Sequence, residues 1–119
     1  MRHHNKNKKF GRQAGVRGAL MRGLVVALIE HGKLTTSEAK AKALRPAIEK
    51  MITTARGATI ADVRLITARL GNNKAMTAKL VKEIAPKYKD RNGGYTRVTK
   101  IGARGSLGDA SPMAVIEFV

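Results

Sequence analysis

Apolar positions follow a helical period over four stretches of the chain and a strand-like alternation near its end. From Gln13 to His31 the set Val16, Leu20, Leu24 and Leu28 returns every four residues, with Met21, Val25 and Ile29 beside it, which lays one stripe along a first helix. Gly32 is placed to end it, being free to take the left-handed backbone of a helix C-terminus. Lys33-Leu-Thr-Thr36 reads as a short extended segment, and Thr35 with Glu38 matches a Thr-x-x-Glu capping box opening a second helix. Its stripe is Leu44, Ile48, Met51, Ile52 and Ala55; Pro46 predicts a kink, because its ring crowds the carbonyl of Lys42, and Gly57 predicts the stop.

Thr59 with Asp62 repeats the capping pattern ahead of a short third helix carrying Ile60, Val63, Ile66 and Leu70 and closed by Gly71. Asn73 caps a fourth, with Met76, Leu80, Val81 and Ile84 as its stripe and Pro86 as its end. Beyond it Tyr95 to Ile101 predicts a strand, and Ala114 to Val119 a second, where Ala114, Ile116 and Phe118 alternate with Val115, Glu117 and Val119. The two form an antiparallel pair, and since such a pair alone is marginal, the Leu34 segment is the expected third strand. The class is α+β: four helices on a small sheet, one domain over residues 13–119.

Charge changes this picture at the N-terminus. Through residue 22 the chain carries Arg2, Lys6, Lys8, Lys9, Arg12, Arg17 and Arg22 and no carboxylate, and residues 1–12 have no apolar period. Such an arm buries too little apolar surface to offset the entropy of ordering it, so it is expected to order only against a polyanion. The whole chain has 24 Lys and Arg against 8 Asp and Glu, a formal charge of +16, and the excess continues through Lys40, Lys42, Lys87, Lys89, Arg91, Arg97 and Arg104. Nucleic acid is the expected partner and an anionic membrane surface the second choice. Gly15, Gly18 and Gly23 weaken the first helix by up to about 1 kcal/mol each; close approach to a backbone or to RNA explains them as well as simple tolerance does.

Catalytic chemistry finds little foothold. There is no cysteine, so disulfides, thiolates and Cys-based zinc sites are excluded. His3, His4 and His31 lack metal-ligand spacing, the carboxylates are scattered, and no cofactor is expected. The run Gly102 to Gly108 lacks the Lys-Thr or Lys-Ser of a phosphate loop, though Arg104 can approach a phosphate from it. The third and fourth helices have roughly the spacing of a helix-turn-helix, but Lys74, Thr77 and Lys79 suit phosphates better than base edges. The longest apolar run, Leu24 to Ile29, is far short of the roughly 20 residues of a membrane span. With no secretory signal pattern either, the expected location is the cytoplasm. Asn92-Gly-Gly-Tyr-Thr-Arg97 predicts a tight reversal that presents Tyr95 and Arg97, the ring either stacking on a base or packing inside.

Over essentially its whole length the chain resembles the family of the seventeenth protein of the bacterial large ribosomal subunit. The resemblance rests on Met1-Arg-His3, Phe10-Gly-Arg12, Thr35-Thr36, Ala39-Lys-Ala41, Leu44-Arg45, Ile48-Glu49 and Gly93-Gly-Tyr-Thr-Arg97 with Lys100, Gly102 and Arg104. Gly108-Asp109, Pro112-Met-Ala114 and Ile116-Glu117 complete it. Val16-Arg17 and Arg22-Gly23 depart from the family's usual His-Arg and Arg-Asn, and the loop with Ser106 and Leu107 is longer than usual. The resemblance implies a small mixed sheet and an extended basic N-terminal segment. It also implies a non-catalytic place on the 23S rRNA near the peptide exit, among neighbouring ribosomal proteins, with no membrane and no small-molecule substrate. The expected RNA contacts are Arg2, His3, Lys6, Lys8, Lys9, Arg12, Arg17 and Arg22, then Lys40 and Lys42, then Lys87, Lys89, Arg91, Tyr95, Arg97 and Arg104.

Overall fold

Helix α2, Glu38–Gly57, runs through the middle of the molecule, and Ala41, Leu44, Ile48, Met51, Ile52 and Ala55 are all buried along one side of it. Each of its larger apolar side chains contributes roughly 1.5–3 kcal/mol by leaving water. Around that stripe a computed structural model, describing residues 3, 8–104 and 110–119, places α1 (Ala14–His31), β1 (Lys33–Ser37), α3 (Ile60–Arg69), α4 (Lys74–Lys79), β2 (Thr96–Ala103) and β3 (Pro112–Phe118). The expected contacts at Arg2 and Lys6 and the loop at Ser106 and Leu107 lie outside the described residues. Val25, Leu28 and Ile29 of α1, Ile66 of α3 and Ala114 and Ile116 of β3 join α2 in the core, together with Leu70, Leu80, Ile84, Ala85, Tyr88 and Tyr95.

The sheet order is β1-β3-β2, and both pairings are antiparallel, so the small sheet is not mixed. The reason is positional: β3 lies between the other two, and the parallel pair β1 and β2 never become neighbours. A bulge between Lys100 and Gly102 breaks the β2–β3 register, and Gly102 takes φ +90° there, a conformation glycine adopts without strain. Among the four helices α4 is short, a single α-helical stretch of six residues that widens into a π turn (Leu80–Ile84) and tightens into a 3-10 turn (Ala85–Tyr88). Pro86 starts the last turn instead of ending the helix, since proline suits a first turn whose N–H would be unbonded anyway.

Capping decides the remaining boundaries. Thr59 and Asp62 form the expected box, with Asp62 N–H donating to Thr59 Oγ1 at 3.1 Å and Thr59 N–H to Asp62 Oδ2 at 3.3 Å. Asn73 Oδ1 accepts from Met76 N–H at 3.2 Å, also as expected. The box predicted at Thr35 does not form: both threonines are spent in β1, and Ser37 caps α2 by accepting from Lys40 N–H at 3.4 Å. Pro46 stands inside α2, which continues through it because buried side chains on both sides hold the helix against the core. In α1 only the second half is fixed this way; Val16 is 56% exposed, and the first two turns project past the core.

Two glycines give opposite predictions. A Cβ at Gly57 would stand 2.5 Å from Asp62 Oδ2, so Gly57→Ala dislodges the capping carboxylate and lowers stability by about 1 kcal/mol. A Cβ at Gly23 meets nothing within 4 Å, so Gly23→Ala, inside α1, raises stability by roughly 0.5–1 kcal/mol. Urea denaturation of the two purified variants reads both signs.

Candidate nucleic-acid interface

The end of the arm reverses in a turn closed by its own hydrogen bonds. Arg12 N–H donates to Lys9 O at 3.1 Å and Arg12 Nη1 to Phe10 O at 2.6 Å, while Phe10 and Gly11 take φ of +53° and +63°. That reversal lays Lys8 and Phe10 beside the projecting half of α1 and the first half of α2. The three segments enclose a groove of about 840 Å³ lined by Lys8, Phe10, Arg17, Met21, Glu38 and Lys42, among others. Three of the expected contacts, one each from arm, α1 and α2, thus converge.

Glu38 organises the cations at this groove. Its Oε1 accepts from Lys42 Nζ at 2.7 Å and lies 3.5 Å from Lys100 Nζ, and its side chain is 22% exposed against 59% and 68% for the two lysines. One carboxylate therefore faces two ammonium groups. The Lys42 hydrogen bond is the main reason the Glu38 carboxyl titrates below its ordinary value; partial burial opposes it and Lys100 adds to it. Lys100 arrives by register: it pairs with Ala114, which pairs with Thr36, two residues before Glu38. The site expectation omitted Lys100 because no local pattern reveals a three-strand alignment.

The other expected contacts lie elsewhere. Lys87, Lys89 and Arg91 are exposed on the 3-10 turn and the reversal after it, where Arg91 Nε donates to Gly93 O at 3.3 Å. This group packs on the C-terminal half of α2 through Arg56 Nη2, which donates to Lys89 O at 3.0 Å. At 1.5 Å per residue, Arg56 and Lys42 stand about 21 Å apart along α2. Arg22 leans the other way, toward Gly71 in the turn between α3 and α4. Arg97 pairs with Glu117 at 3.2 Å in a row that continues to Lys33. Arg104 closes the neck of the β2–β3 hairpin, its N–H donating to Ser111 O at 2.8 Å and its Nη2 reaching Met113 Sδ at 3.4 Å. Lys40 is half-buried in the first turn of α2, and His3, Lys9 and Arg12 are exposed.

Tyr95 is not a stacking platform. It is 1% exposed, its ring centroid 5.2 Å from that of Tyr88. Arg56 Nη1 donates to its hydroxyl at 2.9 Å, the hydroxyl lies 3.1 Å from Thr53 Oγ1, and Thr53 donates onward to Glu49 O at 3.0 Å. A phenol bonded on both sides belongs inside, and the reversal at Gly93 and Gly94, with φ of +128° and +62°, turns it there. Arg56, overlooked from sequence, is thus a structural cation joining α2 to the tyrosine turn.

A family profile described as ribosomal protein L17 matches residues 20–119. The chain belongs to the ribosomal protein L17 family. Relatives extend the match through the arm. A protein of Persephonella marina named large ribosomal subunit protein bL17 is 54% identical over 119 residues, covering 100% of this chain and 95% of its own. The bL17 proteins of Helicobacter pylori and Neorickettsia sennetsu are 51% and 49% identical and match end to end, with 100% of each chain covered. An L17-family chain has a structural and not an enzymatic part to play, which suits a site made of cations without an acid–base pair.

Tyr95→Phe separates the packing role from an RNA role: stability falls by about 1–3 kcal/mol, because the Arg56 and Thr53 groups lose their partner, while RNA affinity in filter binding is unchanged. Glu38 supplies a pH test. Its lowered carboxyl favours the folded chain at pH above the ordinary carboxylate range, and the advantage fades as pH falls through the depressed value. The difference in urea midpoint between wild type and Glu38→Gln should shrink to nothing over that descent.

Proposed function

We propose that the chain is a non-catalytic structural constituent of the large ribosomal subunit, in the bacterial cytoplasm, that holds 23S rRNA near the peptide exit beside neighbouring ribosomal proteins. The observation carrying this reading is the meeting of Lys8, Arg17 and Lys42 at one groove, with Lys100 held beside Glu38 of its lining, in a chain of charge +16 whose relatives bear that subunit's name. Residues 1–12 act as the RNA-binding arm and residues 13–119 as the domain that aims it. Arg2, His3, Lys6, Lys9 and Arg12 of the arm meet further phosphates of the RNA backbone, and Arg22 meets one apart from the groove, beside the turn between α3 and α4. Lys40 supports the groove side, while Lys87, Lys89, Arg91, Arg97 and Arg104 meet phosphates away from it. Such contacts fix position and register and read little sequence.

Sucrose-gradient sedimentation tests the placement: the chain should travel with large subunits, and removal of residues 1–12 should shift it toward free protein. Full retention of the truncated chain would count against the arm. In filter binding to 23S rRNA, Arg17→Ala and Lys42→Ala should each lower the slope of log affinity against log salt by about 1, as loss of one phosphate contact requires.

A further inference from the structure

Across the molecule's other helices lies a second groove of about 570 Å³, between α3 and α4, and it is unlike the first. Its walls are alkyl: Val63 and Ala68 from α3, Ala78 and Val81 from the α4 side. Arg64, Lys74 and Lys82 also line it, and no carboxylate does. The apolar surface does not stop at the groove. Ile60, one turn before Arg64, is 72% exposed, and Leu65, beside Ala68, is 44% exposed.

We infer that this groove is a protein-docking site, taking an amphipathic segment of another large-subunit protein with apolar residues inward and carboxylates at its margins. The inference rests on the chain's place in that subunit. Chemistry favours a protein over RNA here. There is no aromatic ring to stack a base, and the two threonine hydroxyls of the lining are turned inward, Thr67 donating to Val63 O at 2.7 Å and Thr77 to Asn73 O at 2.9 Å. An alkyl trough offers a nucleotide little, whereas apolar side chains entering it exclude water from both surfaces. The three cations at the trough then select carboxylates on the occupant, which sets its register and orientation.

Large subunits carrying the chain, first confirmed in the subunit peak, are treated with a carbodiimide, which joins a lysine amine to a carboxylate in direct contact. Mass spectrometry should find Lys74 or Lys82 joined to an aspartate or glutamate in a segment of another ribosomal protein with apolar residues at helical spacing. Subunits carrying Ala78→Glu should give about tenfold fewer of these joins, since a carboxylate is driven into the apolar trough. Ala78 is exposed, so the variant should keep the wild-type urea midpoint and rRNA affinity; should it fail to fold, Ala68→Glu tests the opposite wall. The docking inference is overturned if the joins persist in the folded variant, or if both lysines acetylate freely in intact subunits without joining anything. Photocross-linking of 4-thiouridine-substituted rRNA to α3 or α4 peptides overturns it too. None of these three touches the RNA scaffold reading, whereas absence of the chain from the subunit peak overturns both.

Discussion

A chain with a net charge of +16 must be held together by one small core, and that repulsion sets the terms for everything else in the molecule. The buried stripe of α2 is the counterweight. It is continuous across a proline, it touches both helical neighbours and sheet, and it contains no polar residue. Cations are pushed to the ends and margins of this core: one group where the arm, α1 and α2 meet, another on the turn beyond α4, others along the sheet.

Four of the eight carboxylates do structural duty. Asp62 completes a cap, Glu49 bonds Thr96 through both its N–H and its hydroxyl, at 3.4 and 3.1 Å, and Glu117 sits between Lys33 and Arg97 on the sheet. Glu38 alone stands between two lysines at the groove. It holds both side chains in place without neutralising the pair, and exposed pairs of this kind are individually weak. They constrain geometry more than they stabilise the fold.

Much of the fold was legible because it is local. Helix periods, the Thr59–Asp62 and Asn73 caps, the turn at Gly93–Gly94 and the strand role of Leu34 each depend on residues a few positions apart. The misreadings came from competition or from distance. Thr35 was a plausible cap until strand pairing claimed it and Ser37 took over, two residues on. Val16 continues the stripe of α1, yet the core ends before reaching it. For the interface, Lys8, Arg17 and Lys42 were readable as charge and their convergence was not, while Lys100 depended on a register across three strands. Tyr95 carried both signals in its sequence; only the position of Arg56, 39 residues away, shows that its hydroxyl is occupied within the fold.

Helix α1 is anchored at Val25, Leu28 and Ile29 and unsupported at its start, so a single helix contains a gradient of rigidity. Its far end is as firm as the core, whereas its near end has little but backbone hydrogen bonds to keep it wound. The helix thus works as a graded coupling, transmitting the orientation of the body outward while letting the leading turns adjust to the curvature of whatever they are laid upon.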